Sequence, residues 1–139
     1  MPRMNDAERD TFLAERRYGI LTTLRRDGAP VSLPVWYEWD GTTVRMFCHE
    51  ASAKLKRLKH DARATLLVVN HPDEPENWVS FDGSISNRNE GGLELAERVF
   101  DRYYPLGDGR RSALESWRRM KDEWRLLELA PANIRLHEE

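Results

Sequence analysis

The 139-residue chain predicts a mainly β domain with helical additions, a small barrel of six mostly antiparallel strands of Greek-key type. Two observations predict it. Short runs of alternating apolar and polar residues recur between tight-turn signals, and stretches with helical spacing fall between those runs rather than in a block of their own. No linker, repeat or low-complexity tract divides the chain. Residues 1–139 therefore read as one domain, long enough to bury roughly two-thirds of its unfolded surface.

The first element is a helix. Asn5 with Glu8 three residues later makes a capping box, Phe12 and Leu13 supply an apolar face through to Arg17, and Gly19 closes it. Ile20 to Leu24 reads as a strand ending in the turn signal Asp27-Gly28. On the return strand Val31, Leu33, Val35, Tyr37 and Trp39 share one face; Ser32, Pro34, Trp36 and Glu38 share the other. If the first set fills the barrel, Trp36 faces outward toward a partner subunit.

A third strand, Thr43 to His49, runs into a helix from about Ser52 to His60, with Ser52 as its N-cap. Ala64 to Val69 is dense in β-branched residues and reads as a strand buried on both faces, followed by a surface loop from His71 to Glu76. Trp78 to Ser86 is the fifth strand, in which Gly83 permits a bulge or a close backbone approach. Glu94 to Tyr103 and Ser112 to about Lys121 have helical spacing, separated by the breaker run Pro105 to Gly109. Trp124 to Leu129 and Ile134 to Leu136 read as closing strands interrupted by Pro131.

Charge and composition narrow the function. The formal net charge is −2 and the pI is near 6.1, which argues against general nucleic-acid binding. A single cysteine, Cys48, allows no intramolecular disulfide and no cysteine-based metal site, and the four histidines have no ligand spacing. No stretch reaches ~18 uncharged apolar residues and the N-terminus lacks a signal-peptide core. The expectation is a soluble cytoplasmic protein with no membrane or nucleic-acid partner and no metal.

The cations are concentrated in one place. Lys54, Lys56, Arg57 and Lys59 fall within eight positions at a strand-to-helix junction, where free backbone N–H groups and the positive end of the helix dipole favour an anion such as phosphate. A solvated helix face is the alternative reading of the same cluster. The chain has no nucleophile elbow, HExxH, Gly-x-Gly-x-x-Gly or paired carboxylates. That suits cofactor-led chemistry, in which the protein fixes a ring and a phosphate while the cofactor carries the reaction. It equally suits a binder without catalysis.

Three segments together carry a family resemblance: Thr-Leu-x-x-Asp-Gly-x-Pro at Thr23 to Pro30, Ser-x-Pro-Val-Trp-Tyr at Ser32 to Tyr37, and Ser-x-Lys at Ser52 to Lys54, near Leu-Lys-x-Asp-x-Arg at Leu58 to Arg63. In this order they resemble the pyridoxamine 5'-phosphate oxidase-like proteins, the split β-barrel flavin and deazaflavin oxidoreductases. The resemblance spans about Asn5 to Leu136. It implies an FMN-binding split barrel and a homodimer with cofactor at the subunit interface, the cofactor being coenzyme F-420, preferred here, or FMN.

By that resemblance Lys54 meets the cofactor phosphate with Ser52 as a hydroxyl donor. Ser32, Pro34, Val35 and Trp36 contact the ring, Phe47, Cys48 and His49 add the end of the third strand, and Lys56 and Arg57 suit the carboxylate tail of F-420. The chain departs from the oxidases proper at Ala53, where they carry an arginine, at Ser32 and Trp36, where basic residues are usual, and in lacking their extended C-terminal section. It is more similar to the deazaflavin-using branch. The implied activity is hydride transfer to a small conjugated acceptor; the alternative is non-catalytic binding of a flavin, haem or tetrapyrrole on the same fold. No catalytic side chain is assigned.

Overall fold

The computed structural model describes residues 3–138. Helix α1 (Asp6–Ala14) leads into strands β1 (Gly19–Leu24), β2 (Pro30–Val35), β3 (Glu38–Trp39) and β4 (Val44–His49). Helix α2 (Ala53–His60), strands β5 (Arg63–Val69) and β6 (Trp78–Arg88), helices α3 (Gly92–Tyr103) and α4 (Gly109–Arg119) and a long last strand, β7 (Trp124–Leu136), follow. All seven strands belong to one antiparallel sheet in the order β2-β1-β5-β6-β7-β4-β3, curled into a half-barrel. The predicted split-barrel class is therefore the observed one.

The described residues form seven strands rather than six, and two strand boundaries differ from those predicted, each for a reason that lies in tertiary contacts. The second strand breaks at Trp36-Tyr37, where the carbonyl of Tyr37 accepts from the guanidinium of Arg102 (3.4 Å) instead of a ladder partner. The two closing strands are one. Gly83 pairs with Pro131 and Asp82 with Asn133, so Ala132 is an extra residue in β7 and the bulge absorbs the proline that cannot donate to the ladder. A Cβ on Gly83 would lie 2.7 Å from the carbonyl oxygen of Ala130, which is the close approach that position was expected to allow.

Helix α1 begins at the expected capping box, with the Asn5 carboxamide accepting from the Glu8 N–H and the Glu8 carboxylate accepting from the Asn5 N–H. It ends at Ala14, short of Arg17. Side chains rather than a glycine close it: Arg17 Nε donates to the Phe12 carbonyl at 3.0 Å, and the Tyr37 hydroxyl and Arg102 donate to that of Leu13 at 2.9 Å. Gly19 is instead the first residue of β1.

Alternation places two cores on the two sides of the sheet. Leu21, Tyr37, Met46, Leu66, Phe81, Leu127 and Leu129 fill the inside of the curl with Leu13, Leu55 and Leu58 from α1 and α2. On the other side Leu95, Val99 and Tyr103 of α3 pack with Leu126, and Trp36 and Phe47 pack against that cluster. Each fully buried side chain of this kind contributes at most about 1.5–3 kcal/mol. Trp36 thus faces away from the barrel interior as expected, but α3 and α4 of its own chain cover it.

Candidate functional site

The break after β2 opens a cavity of about 380 Å³ between β2, the end of β4 and the start of α2, lined by Pro34, Val35, Trp36, Phe47, Cys48 and Lys54 with Tyr18 and Trp124. Ser52 sets its polar end: its hydroxyl accepts from the Leu55 N–H (3.3 Å), starting α2 so that Lys54 sits in the first turn. Burial pushes the Lys54 ammonium below the ordinary lysine value, nearby Arg57 adds to that, and only the Cys48 sulfur opposes it. No carboxylate contributes. A half-buried cation without a carboxylate partner among the described residues fits an anionic ligand.

The opposite end is apolar and aromatic. Trp36 stacks on Tyr103 with centroids 5.3 Å apart and planes 5° from parallel, while Phe47 meets Trp124 edge-on at 5.6 Å. Trp117 of α4 leans over both, 6.0 Å from Trp36 and 5.6 Å from Phe47. Burial raises the Cys48 thiol, with the nearby Ser52 hydroxyl and the charge of Lys54 pulling the other way. Cys48 is therefore a neutral wall residue rather than a nucleophile.

Six of the residues singled out in the sequence converge on this cavity, and five do not line it. Ser52 stands just beneath as the N-cap. Ser32 is exposed on the outer sheet face, its hydroxyl 2.7 Å from that of Thr22. His49 is engaged elsewhere: its Nδ1 accepts from the Ala51 N–H, so its Nε2 donates to Glu123 at 3.0 Å. Lys56 and Arg57 line a separate cavity of about 360 Å³ with Arg26, Lys59 and His60, and Arg57 Nε is anchored on the buried Thr23 hydroxyl at 2.7 Å.

Sequence reasoning missed Tyr18, Trp124 and Arg26. Trp124 and Arg26 reach their cavities only through strand pairing and the hairpin, and Tyr18 looked like the end of a helix. An aromatic directly before Gly19 was the one signal available for Tyr18. Among the described residues no three His, Cys, Asp or Glu side chains converge as metal ligands, and no helix is long and apolar enough to cross a membrane.

One antiparallel sheet curled into a half-barrel with helices packed on it defines the split-barrel class. The sequence profile of the pyridoxamine 5'-phosphate oxidase family matches residues 6–138, and the chain belongs to that family, which includes oxidoreductases and binds flavins. No curated protein matches the chain in sequence. Among solved structures it is similar to an F420 reductase (22% identity, 91% of this chain and 94% of that one, TM-score 0.73). It is also similar to the conserved hypothetical protein Rv2991 of Mycobacterium tuberculosis (25%, 97% and 85%, TM-score 0.76). A heme binding protein of Mycobacterium smegmatis is a further neighbour (21%, 99% and 55%, TM-score 0.68).

Proposed function

We propose that the chain is an oxidoreductase that holds coenzyme F-420, or FMN, in the Lys54 cavity and passes hydride to a small conjugated acceptor. One observation carries the reading. Pro34, Val35, Trp36, Phe47 and Cys48 line a single cavity whose polar end is Lys54, a half-buried ammonium with no carboxylate beside it among the described residues.

The residues suit such a group in kind. Lys54 supplies charge to a phosphate, and the first-turn N–H groups of α2 add donors. β2 lies at one edge of the sheet, so its outer side has backbone groups free to meet the polar rim of a ring. Trp36, Phe47 and Trp124 exclude water from the ring's apolar part. When bound, the cofactor would supply the hydride chemistry itself. The cationic cavity of Arg26, Lys56, Arg57 and Lys59 on the next face of α2 suits the carboxylate tail of F-420 and gives no comparable role with FMN.

The active form in this reading is a homodimer in the cytoplasm. A furrow lined by Thr22, Leu24, Thr65 and Ser84 on the outer sheet face, together with Val69, 42% exposed on β5, offers the surface for a second copy. The test is titration of the purified protein with F-420 and with FMN, followed by fluorescence and native mass. Saturable binding of one cofactor per subunit to a dimer, with anaerobic reoxidation of reduced cofactor by conjugated acceptors, is the expected result. Binding without turnover on any acceptor would make this a flavin, haem or tetrapyrrole binder; no binding of either cofactor would end the reading.

A further inference from the structure

A third cavity, of about 370 Å³, is lined by Arg16, Arg17, Tyr18, His71 and Tyr103. Tyr18 also lines the Lys54 cavity, so its ring is the wall the two share. That ring is 56% exposed and stacks on Tyr103 at 5.9 Å, and Tyr103 stacks in turn on Trp36. An aromatic column runs from one cavity to the other.

The charges in this third cavity are unequal. Arg17 is buried and neutralised, with Glu74 at 2.6 Å and Glu15 at 3.0 Å. Arg16 is not. Its Nη2 donates to the Tyr103 carbonyl at 3.0 Å, which fixes the guanidinium, and no carboxylate pairs with it among the described residues. His71 donates from Nε2 to the Arg16 carbonyl at 3.0 Å, pinning the same segment from the loop after β5. Arg16 therefore lines the cavity as an oriented, solvent-exposed guanidinium without a carboxylate partner among the described residues.

We propose that this cavity is a carboxylate subsite: it takes the acid group of a planar conjugated acceptor whose body lies along Tyr18 in the Lys54 cavity. The inference rests on the reading of that cavity given above and narrows its acceptor to aromatic or enoic acids. A single guanidinium fork matches a carboxylate in shape and in charge. Glu15 and Glu74, which already neutralise Arg17 of the lining, would repel a dianion such as phosphate more than a monoanion. Tyr18 provides the flat surface that orients the conjugated body between the two ends.

The probes are trans-cinnamate and its neutral amide, titrated against tryptophan fluorescence on the protein with and without cofactor. The acid should bind at least about tenfold more tightly than the amide, the scale of one charge-assisted hydrogen bond. Arg16→Gln should bring the acid down to the level of the amide and leave amide and cofactor binding unchanged. Arg16→Lys should keep part of the preference, and Tyr18→Ala should weaken acid and amide alike. Equal binding of acid and amide, no binding of either, or a preference lost in Lys54→Ala but kept in Arg16→Gln would overturn the subsite. If cofactor still titrates with dependence on Lys54, only the subsite fails; if it does not, the parent reading fails as well.

Discussion

The indole of Trp36 lies flat on the phenol of Tyr103, centroids 5.3 Å apart and planes 5° from parallel. Trp36 stands where the sheet breaks between β2 and β3, and Tyr103 is the last residue of α3, so the stack bolts the helical layer to the opening of the cavity. The Tyr103 hydroxyl donates to the Arg17 carbonyl just before β1. One tyrosine therefore ties together three segments distant in sequence.

Trp36→Ala should cost about 2–4 kcal/mol of stability, the range for truncating a large aromatic in a packed setting, and Trp36→Phe much less. Urea unfolding of both variants measures this. A loss below about 1 kcal/mol for the alanine variant would show that the indole is not a packing element, and that its place in the cavity wall is its main role.

Burial holds the ligand-free Lys54 ammonium below the ordinary lysine value of 10.5, and a bound anion would raise it again. The affinity for a phosphate-bearing cofactor should be full at pH values below the depressed, ligand-free value and fall as pH rises through it, with proton uptake on binding in that window. Lys54→Ala should remove about 1.5–3 kcal/mol of binding at neutral pH and abolish the alkaline fall. Dissociation constants for F-420 and FMN across neutral to alkaline pH test both parts. An unchanged constant in the variant would take Lys54 out of the site.

How far the sequence could be read follows from which interactions are local. The capping box at Asn5, the N-cap at Ser52 and the turn at Asp27-Gly28 depend on neighbours within three or four residues, and all stand where they were expected. The alternation from Val31 to Trp39 put Val35 and Tyr37 on one face, and at those two positions that face is the buried one. The strand break at Tyr37 was illegible because its cause, the donor from Arg102, lies more than 60 residues away. Pro131 looked like an interruption because the bulge that accommodates it needs Gly83 on the facing strand. In the site, Lys54 and the ends of β2 and β4 were legible as motifs, whereas the diversion of His49 to Glu123 and the separation of Lys56 and Arg57 into another cavity depend on tertiary placement.

Gly83→Ala is a sharp test of the bulge. The added methyl would meet the Ala130 carbonyl oxygen at 2.7 Å, Leu129 Cδ1 at 3.0 Å and the Ala132 nitrogen at 3.3 Å, and two of those three atoms are backbone that cannot swing aside. A destabilisation of about 1–3 kcal/mol is expected from the forced shift of β7. The same substitution at Gly28, whose positive φ of 87° sits in an open hairpin turn, should act through backbone strain alone, with no clash. Thermal melts of the pair compare a crowded glycine with a merely left-handed one.

Glu74 makes the loop after β5 acid-sensitive. Hydrogen bonds from Arg17 and from the His71 backbone N–H hold its carboxyl down to about 2, against an ordinary 4.5. A folded value below the unfolded one means that the stabilisation is complete above 4.5 and disappears as pH falls toward 2. Asp61, also held at about 2 by Arg63, titrates over nearly the same window. Glu74→Gln should therefore reduce, by close to one proton, the slope of stability against pH in that range without flattening it, and should lower stability at neutral pH because buried Arg17 would keep only Glu15 as its counter-ion. Chemical unfolding at closely spaced acidic pH values reads the slope. If the variant keeps the full slope, the Arg17–Glu74 pair is not what fastens this loop, and with it His71 and the Arg16 segment, to the body of the barrel.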